Sequence, residues 1–148
     1  MKICFICHAN ICRSFIAQEL MHKLIKERGL AAEVFSRGIY ADSGLRPPAK
    51  VIDFLKEAGI TPAPHIPTLV SAADMARADI ILVMEQRQLD YLKDLYAQYS
   101  DKMFLLRDYA FGEDEDVDDP MGLNGHAFTK AARAIENAVK SIADKLFK

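Results

Sequence analysis

The residues best suited to chemistry stand at the start of the chain. All three cysteines of the 148-residue sequence, Cys4, Cys7 and Cys12, fall in its first twelve positions. An odd number of cysteines gathered at one end is not the pattern of a secreted disulfide scaffold. Here they stand next to Arg13 and Ser14. This cluster indicates a reactive site or a metal site.

The spacing between the sulfur and the positive charge is informative. Five residues separate Cys7 from Arg13, and Ser14 follows directly. A loop of this length between a strand and a helix can turn its backbone N–H groups inward. Those groups and the helix N-terminus then form a cradle for a phosphate dianion, and the arginine adds a planar fork for two phosphate oxygens. The spacing therefore predicts a phosphate-binding loop.

Cys7 would lie at the base of that cradle. The inward N–H groups, the Arg13 charge and the helix dipole all favour an ionised sulfur, so we expect a thiolate at neutral pH. A thiolate directed at phosphorus is a nucleophile, and Ser14 can donate a hydrogen bond to it. These residue types predict nucleophilic catalysis at a phosphate group.

Two other interpretations of the cysteines are weaker. Cys4 and Cys7 have the spacing of a thioredoxin-type redox pair, but Cys4 falls inside an apolar strand and is better explained as a small core residue. A zinc site would leave Arg13 beside the cation without a purpose. Its ligands would be Cys4, Cys7, His8 and Cys12. We therefore expect neither a metal nor another cofactor.

The elements around this loop alternate between strand and helix. Strands are predicted over residues 2–6, 34–36, 80–84 and 103–106. Helices are predicted from 14 to about 29, around 52–59, from 71 onward, and over 89–96 and 128–146. Residues 60–70 and 107–125 are predicted to be irregular. Ser71, with Asp74 three residues later, indicates a helix start of the capping-box type. Leu89, Leu92 and Leu95–Tyr96 are predicted to form the next apolar helix face. This pattern indicates an α/β fold with a four-stranded parallel sheet and helices on both faces. The site of such a sheet lies at the carboxyl ends of its strands, where the loop at 7–14 emerges.

Length and composition limit the possible functions. With 51% apolar and 27% charged residues, the chain is typical of one globular domain, which we place over residues 1–148. A net charge of −2 does not favour nucleic-acid binding. The longest apolar run, Ile80–Met84, is too short to span a membrane. Polar residues interrupt the apolar stretch at the N-terminus, which is not the pattern of a signal peptide. We expect a cytoplasmic protein without nucleic-acid or membrane partners.

The loop at 7–14 resembles the signature of the low-molecular-weight protein tyrosine phosphatases, V-C-x-G-N-x-C-R-S-P, and the likeness is to bacterial members. Further along the chain, Ser36-Arg37-Gly38 stands at the place of the family's S-A-G, Met84-Glu85 at its M-D and Asp119-Pro120 at its D-P. The resemblance covers essentially the whole chain. It implies a phosphatase that acts on a phosphorylated protein through a phosphocysteine intermediate.

The resemblance also assigns roles to residues of the loop. Cys7 would be the nucleophile and Arg13 the phosphate clamp, while Asn10 would lock the loop through hydrogen bonds. Cys12 matches a family cysteine that can form a reversible disulfide with the nucleophile and protect it from over-oxidation. The residues expected to bind phosphate or support the loop are His8, Ala9, Asn10, Ile11, Cys12, Ser14 and Ser36.

Two positions depart from the family's signature. Ala9 replaces its glycine, and if this position needs a positive φ, alanine costs roughly 1 kcal/mol or more and strains the loop. Phe15 replaces its proline at the start of the helix, where proline is favoured but not required, so we expect little change in chemistry. His65 stands where a family histidine braces the loop, with simple solvent exposure as the alternative.

A carboxylic acid is needed to protonate the leaving oxygen of a phosphomonoester. Residues 112–120 offer six acids, and the resemblance selects Asp119. The following Pro120 keeps this residue extended and so orients its carboxyl group. The negative charges of Asp118 and the thiolate would help to keep the acid protonated. The other acids are expected to be solvated.

Residues around the loop bear on the substrate. The family's phosphotyrosine enzymes usually carry two tyrosines after D-P, where this chain has Met121-Gly122. Ile11 matches the bulky apolar residue of tyrosine-type members, whereas protein-arginine phosphatases tend to have threonine there but share the D-P-x-G pattern. We give Ile11 more weight because it would contact the substrate close to the scissile bond. The predicted pocket residues are Ile11, Tyr40 and Met121, and buried packing is the alternative for Tyr40.

These features together predict a cysteine-dependent phosphotyrosine phosphatase. A protein-arginine phosphatase is one alternative. A weakly catalytic phosphopeptide-binding module is another, because Ala9 and the missing tyrosines could both reduce turnover. The thioredoxin-coupled arsenate reductases also resemble this fold, but they need two further cysteines downstream and none follows Cys12.

Overall fold

The structure is a computed structural model that describes residues 1–121 and 124–148. Its strands are β1 (Lys2–Cys7), β2 (Glu33–Gly38), β3 (Ile80–Val83) and β4 (Met103–Leu105). Its helices are α1 (Arg13–Arg28), α2 (Ala49–Glu57), α3 (Ala72–Arg77), α4 (Gln86–Leu95), α5 (Leu106–Phe111) and α6 (Gly125–Leu146). A 3-10 helix covers Ala97–Lys102 between α4 and β4. Strands and helices therefore alternate along the chain as predicted.

The four strands form one parallel sheet in the order β2-β1-β3-β4. β1 lies inside the sheet and pairs with both β2 and β3. Helices α1, α2, α5 and α6 pack on one face, and α3 and α4 pack on the other. This arrangement confirms the predicted four-stranded parallel sheet with helices on both faces and a loop after the first strand.

The pleat of β1 sends its side chains to both layers of the core. Ile3, Phe5 and Cys7 belong to the core on the α1 side, whereas Cys4 and Ile6 belong to the core on the α3 side. Successive side chains of a strand point to opposite faces, so this division follows from the sequence numbering alone. Cys7 therefore ends the strand with its sulfur on the side from which α1 begins.

The two helices on either side of β3 in the sequence, α3 and α4, agree with the sequence-based predictions except at one residue. Ser71 caps α3 as predicted, because its Oγ accepts from the Asp74 N–H and the Asp74 carboxylate accepts from the Ser71 N–H, both at 3.2 Å. In α4, Leu89 and Leu92 are buried as expected. The expectation that Leu95 extends this buried face was wrong, since it is 53% exposed at the end of the helix.

The chain between β4 and α6 is not all loop. We predicted a strand through Leu106 and a loop over 107–125, whereas Leu106 begins α5. Leu106 and Ala110 are buried against the core, and this packing holds a helix too short to be stable alone. Gly112 ends the helix with φ 69°, and a glycine in that place is the sequence signal that indicates it.

Within the two described ranges, no helix combines the length and the apolar character that a membrane crossing requires.

Candidate active site

The nucleophile candidate lies at the junction of β1 and α1. Cys7 is 2% exposed, and its Sγ is 3.0 Å from the Oγ of Ser14. Ser14 belongs to the first turn of α1, where the backbone N–H groups of a helix have no partners within the helix itself. The structure therefore brings the sulfur, a hydroxyl and a helix N-terminus together, as the spacing predicts.

Asn10 holds the loop together from its centre. It is fully buried, and its Nδ2 donates to Ser14 Oγ at 2.8 Å and to Ser36 Oγ at 3.0 Å. Its Oδ1 accepts the backbone N–H of Thr68 at 3.0 Å. A backbone N–H can only donate, so this third bond fixes which end of the amide is oxygen. The loop is thus tied to α1, β2 and the segment at 65–70.

The fixed amide also orders the protons of the two serines. Because Asn10 donates to both hydroxyls, each hydroxyl can pass its own proton to another acceptor. Ser36 Oγ donates to Gln18 Oε1 at 2.6 Å. Ser14 then has its own proton available to donate to the Cys7 sulfur. This order of hydrogen bonds would stabilise a negative charge on the sulfur.

The backbone strain of the loop lies at Asn10 and not at Ala9. Asn10 has φ 58°, and among the described residues it is the one residue other than glycine with a positive φ. Asparagine tolerates this conformation better than most residues. The condition under which Ala9 would strain the loop is therefore not met.

Gly38 lets the loop lie directly against β2. A Cβ on this residue would lie 2.8 Å from the carbonyl oxygen of His8 and 3.1 Å from the carbonyl carbon of Ala9. These are backbone atoms that could move only with the whole loop. The last position of the Ser36-Arg37-Gly38 run thus has a steric function that its spacing alone did not reveal.

His65 also contacts the loop. Its Nε2 is 2.8 Å from the carbonyl oxygen of Asn10, and its ring stacks on Phe15 with the ring centres 4.3 Å apart and the planes 20° apart. Burial lowers the pKa of His65. A carbonyl only accepts, so Nε2 carries the proton of a neutral ring. Phe15, which departs from the family's proline, therefore provides the surface on which this histidine rests.

Arg13 is the buried cation of the site, with 2% exposure. Its Nη1 donates to Glu85 Oε2 at 2.8 Å and to the carbonyl oxygen of Val117 at 2.7 Å. Burial lowers the pKa of Arg13. The negative charges around it, Cys7 and Glu85 first, raise the pKa by more than burial lowers it, so the net shift is upward. The guanidinium is therefore permanently charged beside the sulfur.

Glu85, which the sequence matched to the family's M-D without giving it a role, is a residue of the site. Its Oε2 also accepts from Gln88 Nε2 at 2.7 Å, and its Oε1 accepts from Arg87 Nε at 3.2 Å. It is 7% exposed, so it is a buried carboxylate compensated by Arg13 and these two donors. The signal available was its place directly after the buried strand β3, at the carboxyl edge of the sheet.

The loop that carries the candidate acid is anchored through Val117. This residue is 2% exposed, donates its N–H to the Met84 carbonyl at 2.8 Å and receives Arg13 at its own carbonyl. Two residues further on, the Asp119 side chain is 48% exposed and its Oδ2 is 4.0 Å from Arg13 Nη2. Asp119 Oδ1 accepts from the Met121 N–H at 3.0 Å. The structure therefore places Asp119 at the entrance to the site, near the guanidinium.

Three of the other acids of this loop are at least partly exposed to solvent and also have protein partners. Asp116 Oδ1 accepts the N–H of Gln86 at the start of α4, at 2.8 Å. Glu113 and Glu115 both pair with Arg107, at 2.6 Å and 3.1 Å. These contacts give the loop a defined path towards Asp119.

The predicted pocket residues lie at the outer edge of the loop. Ile11 and Met121 are half-buried. Tyr40 is 68% exposed, which excludes buried packing, and its ring centre is 5.2 Å from that of His8. Its N–H donates to the His8 carbonyl at 2.8 Å. Gly122, the last position of the D-P-x-G pattern, lies outside the described residues.

Cys4, Cys7 and Cys12 are free thiols. Burial, with the Cys7 charge in second place, raises the pKa of Cys12 to about 12. Burial also raises the pKa of Cys4. Both residues are therefore protonated at neutral pH. No group of three or more histidine, cysteine, aspartate or glutamate side chains able to hold a metal occurs in residues 1–121 and 124–148.

Known proteins are similar to this chain in sequence and in fold. The protein-arginine-phosphatase of Bacillus subtilis is 28% identical over 148 residues, which is 100% of this chain and 98% of that protein. The low molecular weight protein-tyrosine-phosphatase PtpB of Staphylococcus epidermidis is 29% identical over 145 residues, which is 98% of this chain and 99% of that protein.

A solved structure supports the same relationship. The YwlE arginine phosphatase mutant with a phosphorylated active site serine superposes with a TM-score of 0.94 at 27% identity, and the match covers 100% of this chain and 97% of that one. A model of the family described as Low molecular weight phosphotyrosine protein phosphatase matches residues 2–148. The chain therefore belongs to the low molecular weight phosphotyrosine protein phosphatase family.

Proposed function

We propose that this protein hydrolyses phosphotyrosine in phosphoproteins, with Cys7 as the nucleophile. The observation that carries the proposal is the position of the Cys7 sulfur. It lies 3.0 Å from the Ser14 hydroxyl, at the N-terminus of α1 and beside the buried charge of Arg13. A phosphate dianion bound in this loop would present its phosphorus to the sulfur.

The first chemical step transfers the phosphoryl group to the protein. The Cys7 thiolate attacks phosphorus, an S–P bond forms, and the bond from phosphorus to the tyrosine oxygen breaks. The leaving oxygen takes the proton of Asp119, so tyrosine departs as a neutral phenol. The exposure of Asp119 at the entrance suits this role, since the leaving group faces outward from the loop.

The second step returns the protein to its starting state. Water attacks phosphorus, the S–P bond breaks with its electron pair on the Cys7 sulfur, and the Asp119 carboxylate takes the proton from the water. Inorganic phosphate leaves. The hydrogen bond from Ser14 stabilises the sulfur as a leaving group in this step, as it stabilises the thiolate before the first.

Arg13 is suited to hold the phosphate through both steps. Its hydrogen bonds to the described part of the protein use Nη1, which leaves Nε and Nη2 for two phosphate oxygens. Because Glu85 and Val117 fix the guanidinium in advance, little freedom is lost when substrate binds. Arg13 is thus both a clamp and a stabiliser of the charge that spreads over the equatorial oxygens.

Phosphotyrosine is favoured as the substrate by Ile11 and Tyr40. Ile11 is an apolar side chain within the loop, and Tyr40 is an exposed aromatic ring beside His8. An aromatic substrate can pack against both while its phosphate lies in the loop. These two residues would supply part of the wall that the family's missing tyrosine pair provides elsewhere.

Phosphoarginine is the second candidate substrate. The relative from Bacillus subtilis is named protein-arginine-phosphatase, and the YwlE structure is named arginine phosphatase. The sequence Asp119-Pro120-Met121-Gly122 also agrees with the pattern of that branch. In that case the loop after Asp119, and not Ile11, would set the specificity.

Phosphate release from matched phosphotyrosine and phosphoarginine peptides separates the two candidates. We expect a higher kcat/KM for the phosphotyrosine peptide and no turnover by Cys7→Ser. Faster release from the phosphoarginine peptide would assign the second candidate. Binding of both peptides with no burst of product would contradict the enzymatic proposal and indicate a phosphopeptide-binding module.

A further inference from the structure

The segment at 65–70 has one side fixed to the active site and one side open to solvent. On the inner side His65 and the Thr68 N–H both contact Asn10, and Pro67 and Val70 are buried. Ile66 and Leu69 are exposed, each at 56%. The segment is irregular, but these contacts hold it against the phosphate loop.

The register of a short bridge shows where Leu69 lies. Leu69 pairs in parallel with Gly38, since Gly38 donates to the Thr68 carbonyl at 2.9 Å and Val70 donates to the Gly38 carbonyl at 3.0 Å. Directly paired residues of neighbouring strands present their side chains on the same face, about 4.8 Å apart. The Cβ direction of Gly38 leads to the backbone of His8 and Ala9. The Leu69 side chain therefore stands on the loop's side of the sheet, next to its outer edge.

Tyr40 extends this apolar edge. It follows the same strand β2, its N–H donates to the His8 carbonyl, and its ring lies against the exposed His8 ring. We call Tyr40, His8 and Leu69 the rim surface. Single exposed apolar residues are common on proteins. Here, however, both residues are placed relative to the phosphate loop. Tyr40 bonds to the His8 carbonyl, and Leu69 pairs with Gly38, whose Cβ direction leads to His8 and Ala9.

We propose that the rim surface binds an apolar side chain that neighbours the phosphorylated residue in the protein substrate. The proposal rests on the proposed phosphatase function, because it concerns the phosphoprotein whose phosphate binds in the loop. A phosphoresidue with its phosphate in the loop carries its chain neighbours across the edge of the site. The first protein surface that they meet on the β2 side is Leu69 with Tyr40.

Continuity with the phosphate loop selects this occupant. His65 and Thr68 of the same segment contact Asn10, so a side chain packed on Leu69 would lie next to the edge of the phosphate loop. Because backbone bonds fix Leu69 in advance, burying it costs little ordering entropy. The predicted specificity is therefore for phosphorylated residues next to leucine, valine or isoleucine, and against those flanked by small polar residues.

The experiment compares two phosphotyrosine peptides that differ in the residues on both sides of the phosphotyrosine, leucine in one and serine in the other. For the unchanged protein we expect kcat/KM to be about 5–10-fold higher for the leucine-flanked peptide. In Leu69→Ser we expect this ratio to fall towards one. Leu69→Met keeps an apolar side chain of similar size and should keep most of the preference.

Leu95→Ser is the matched control. Leu95 is 53% exposed, close to the 56% of Leu69, so the two substitutions remove comparable exposed leucines. Leu95 ends α4, a helix that begins at the carboxyl edge of the sheet and runs back to the other edge, away from the phosphate loop. This variant should keep the full preference for the leucine-flanked peptide. Thermal unfolding verifies that each variant is folded.

The outcomes separate this proposal from the function on which it rests. Turnover of free phosphotyrosine with equal rates for the two peptides would overturn the rim-surface proposal and leave the phosphatase function intact. A preference that Leu69→Ser and Leu95→Ser reduce equally would also overturn it. If Leu69→Ser changes self-association in sedimentation and not the peptide preference, the occupant is a second copy of the chain. Absence of turnover on free phosphotyrosine and on every phosphopeptide would instead refute the function itself.

Discussion

Asn10 is the residue on which the hydrogen bonds of the phosphate loop depend. Its amide joins Ser14, Ser36 and Thr68, and its carbonyl receives His65. Each of these partners would otherwise be free to turn away from the loop. The buried amide therefore acts on the sulfur indirectly. It donates to Ser14 and so leaves the Ser14 proton available to Cys7.

Asp119→Ala tests the assignment of the acid. We expect the hydrolysis of phosphate esters with poor leaving groups to slow by about 10²–10⁴, because the leaving oxygen then departs as an unprotonated anion. Esters of nitrophenol, which leave readily as anions, should be much less affected. The measurement is kcat for a series of aryl phosphates of increasing phenol pKa.

Asp114→Ala is the control for that series, since it removes another exposed carboxylate from the same loop, five residues before Asp119. It should change the rates little and leave their dependence on the leaving group unaltered. If Asp119→Ala slows every ester by the same factor, Asp119 does not protonate the leaving group.

The three cysteines should differ in their reactivity. Burial raises the pKa of Cys12 to about 12 and also raises that of Cys4, so neither provides a thiolate at pH 7. Iodoacetamide at this pH should add one label, on Cys7, as read by mass spectrometry of peptides. Labelling of Cys12 should increase only as the pH rises towards 12, since its proton must first be lost.

Inorganic phosphate should protect Cys7 from the label, and Cys7→Ser should remain unlabelled at pH 7. First labelling at Cys12 would contradict the assignment of Cys7 as the reactive thiol.

At the scale of elements, the close approach of β2 to the phosphate loop is a steric requirement. Gly38→Ala would place a Cβ 2.8 Å from the His8 carbonyl oxygen, so the loop must move away from the strand. A displacement near 1 Å of catalytic groups costs on the order of 10²-fold in rate. We expect a loss in kcat/KM of about 10–100-fold, measured with para-nitrophenyl phosphate.

Gly125→Ala is the corresponding control. A Cβ at this first position of α6 meets no atom within 4 Å, and alanine favours the helix. This variant should keep its activity and be equally or slightly more stable. Full activity of Gly38→Ala would show that the loop can function in a displaced position.

The sequence predicted those elements that carry their own local pattern. The apolar run of β3 and the capping box of Ser71 both appear where expected. The phosphate loop was predictable as well, because five residues between a cysteine and an arginine have a chemical meaning. Such features need no knowledge of distant parts of the chain.

The features that the sequence did not predict depend on distant residues or on packing. Glu85 is 72 positions from Arg13, and Val117 is 104 positions from it. No sequence periodicity links such pairs. These residues meet only because the ends of neighbouring parallel strands lie at the same edge of the sheet. α5 was not predicted because it is short and is held as a helix by burial against the core. A short apolar run of this kind has the same sequence pattern as a buried strand.

At the scale of the whole molecule, phosphate binding should stabilise the fold. The loop joins β1, α1, β2 and the segment at 65–70, so a ligand in it favours the folded state over the unfolded chain. Inorganic phosphate at 100 times its Kd should add about 2.7 kcal/mol to the free energy of unfolding. The measurement is thermal unfolding over a phosphate titration at constant ionic strength.

Cys7→Ser should retain this stabilisation, because the backbone N–H groups and Arg13 still bind the anion. Arg13→Ala should lose most of it. The change caused by phosphate is the relevant quantity, since Arg13→Ala also leaves Glu85 buried without its main partner. Equal stabilisation of Arg13→Ala and the unchanged protein would place the bound phosphate elsewhere.

The partners of Asn10 have a consequence for how this protein is made. As the chain leaves the ribosome, the whole segment from Cys7 to Ser14 appears early, but Thr68 and His65 emerge more than fifty residues later. A nascent chain that ends before residue 65 carries the complete signature and lacks the bonds that hold Asn10 at its positive φ. The thiol is therefore synthesised long before the loop that positions it can be completed, which requires the chain as far as Thr68.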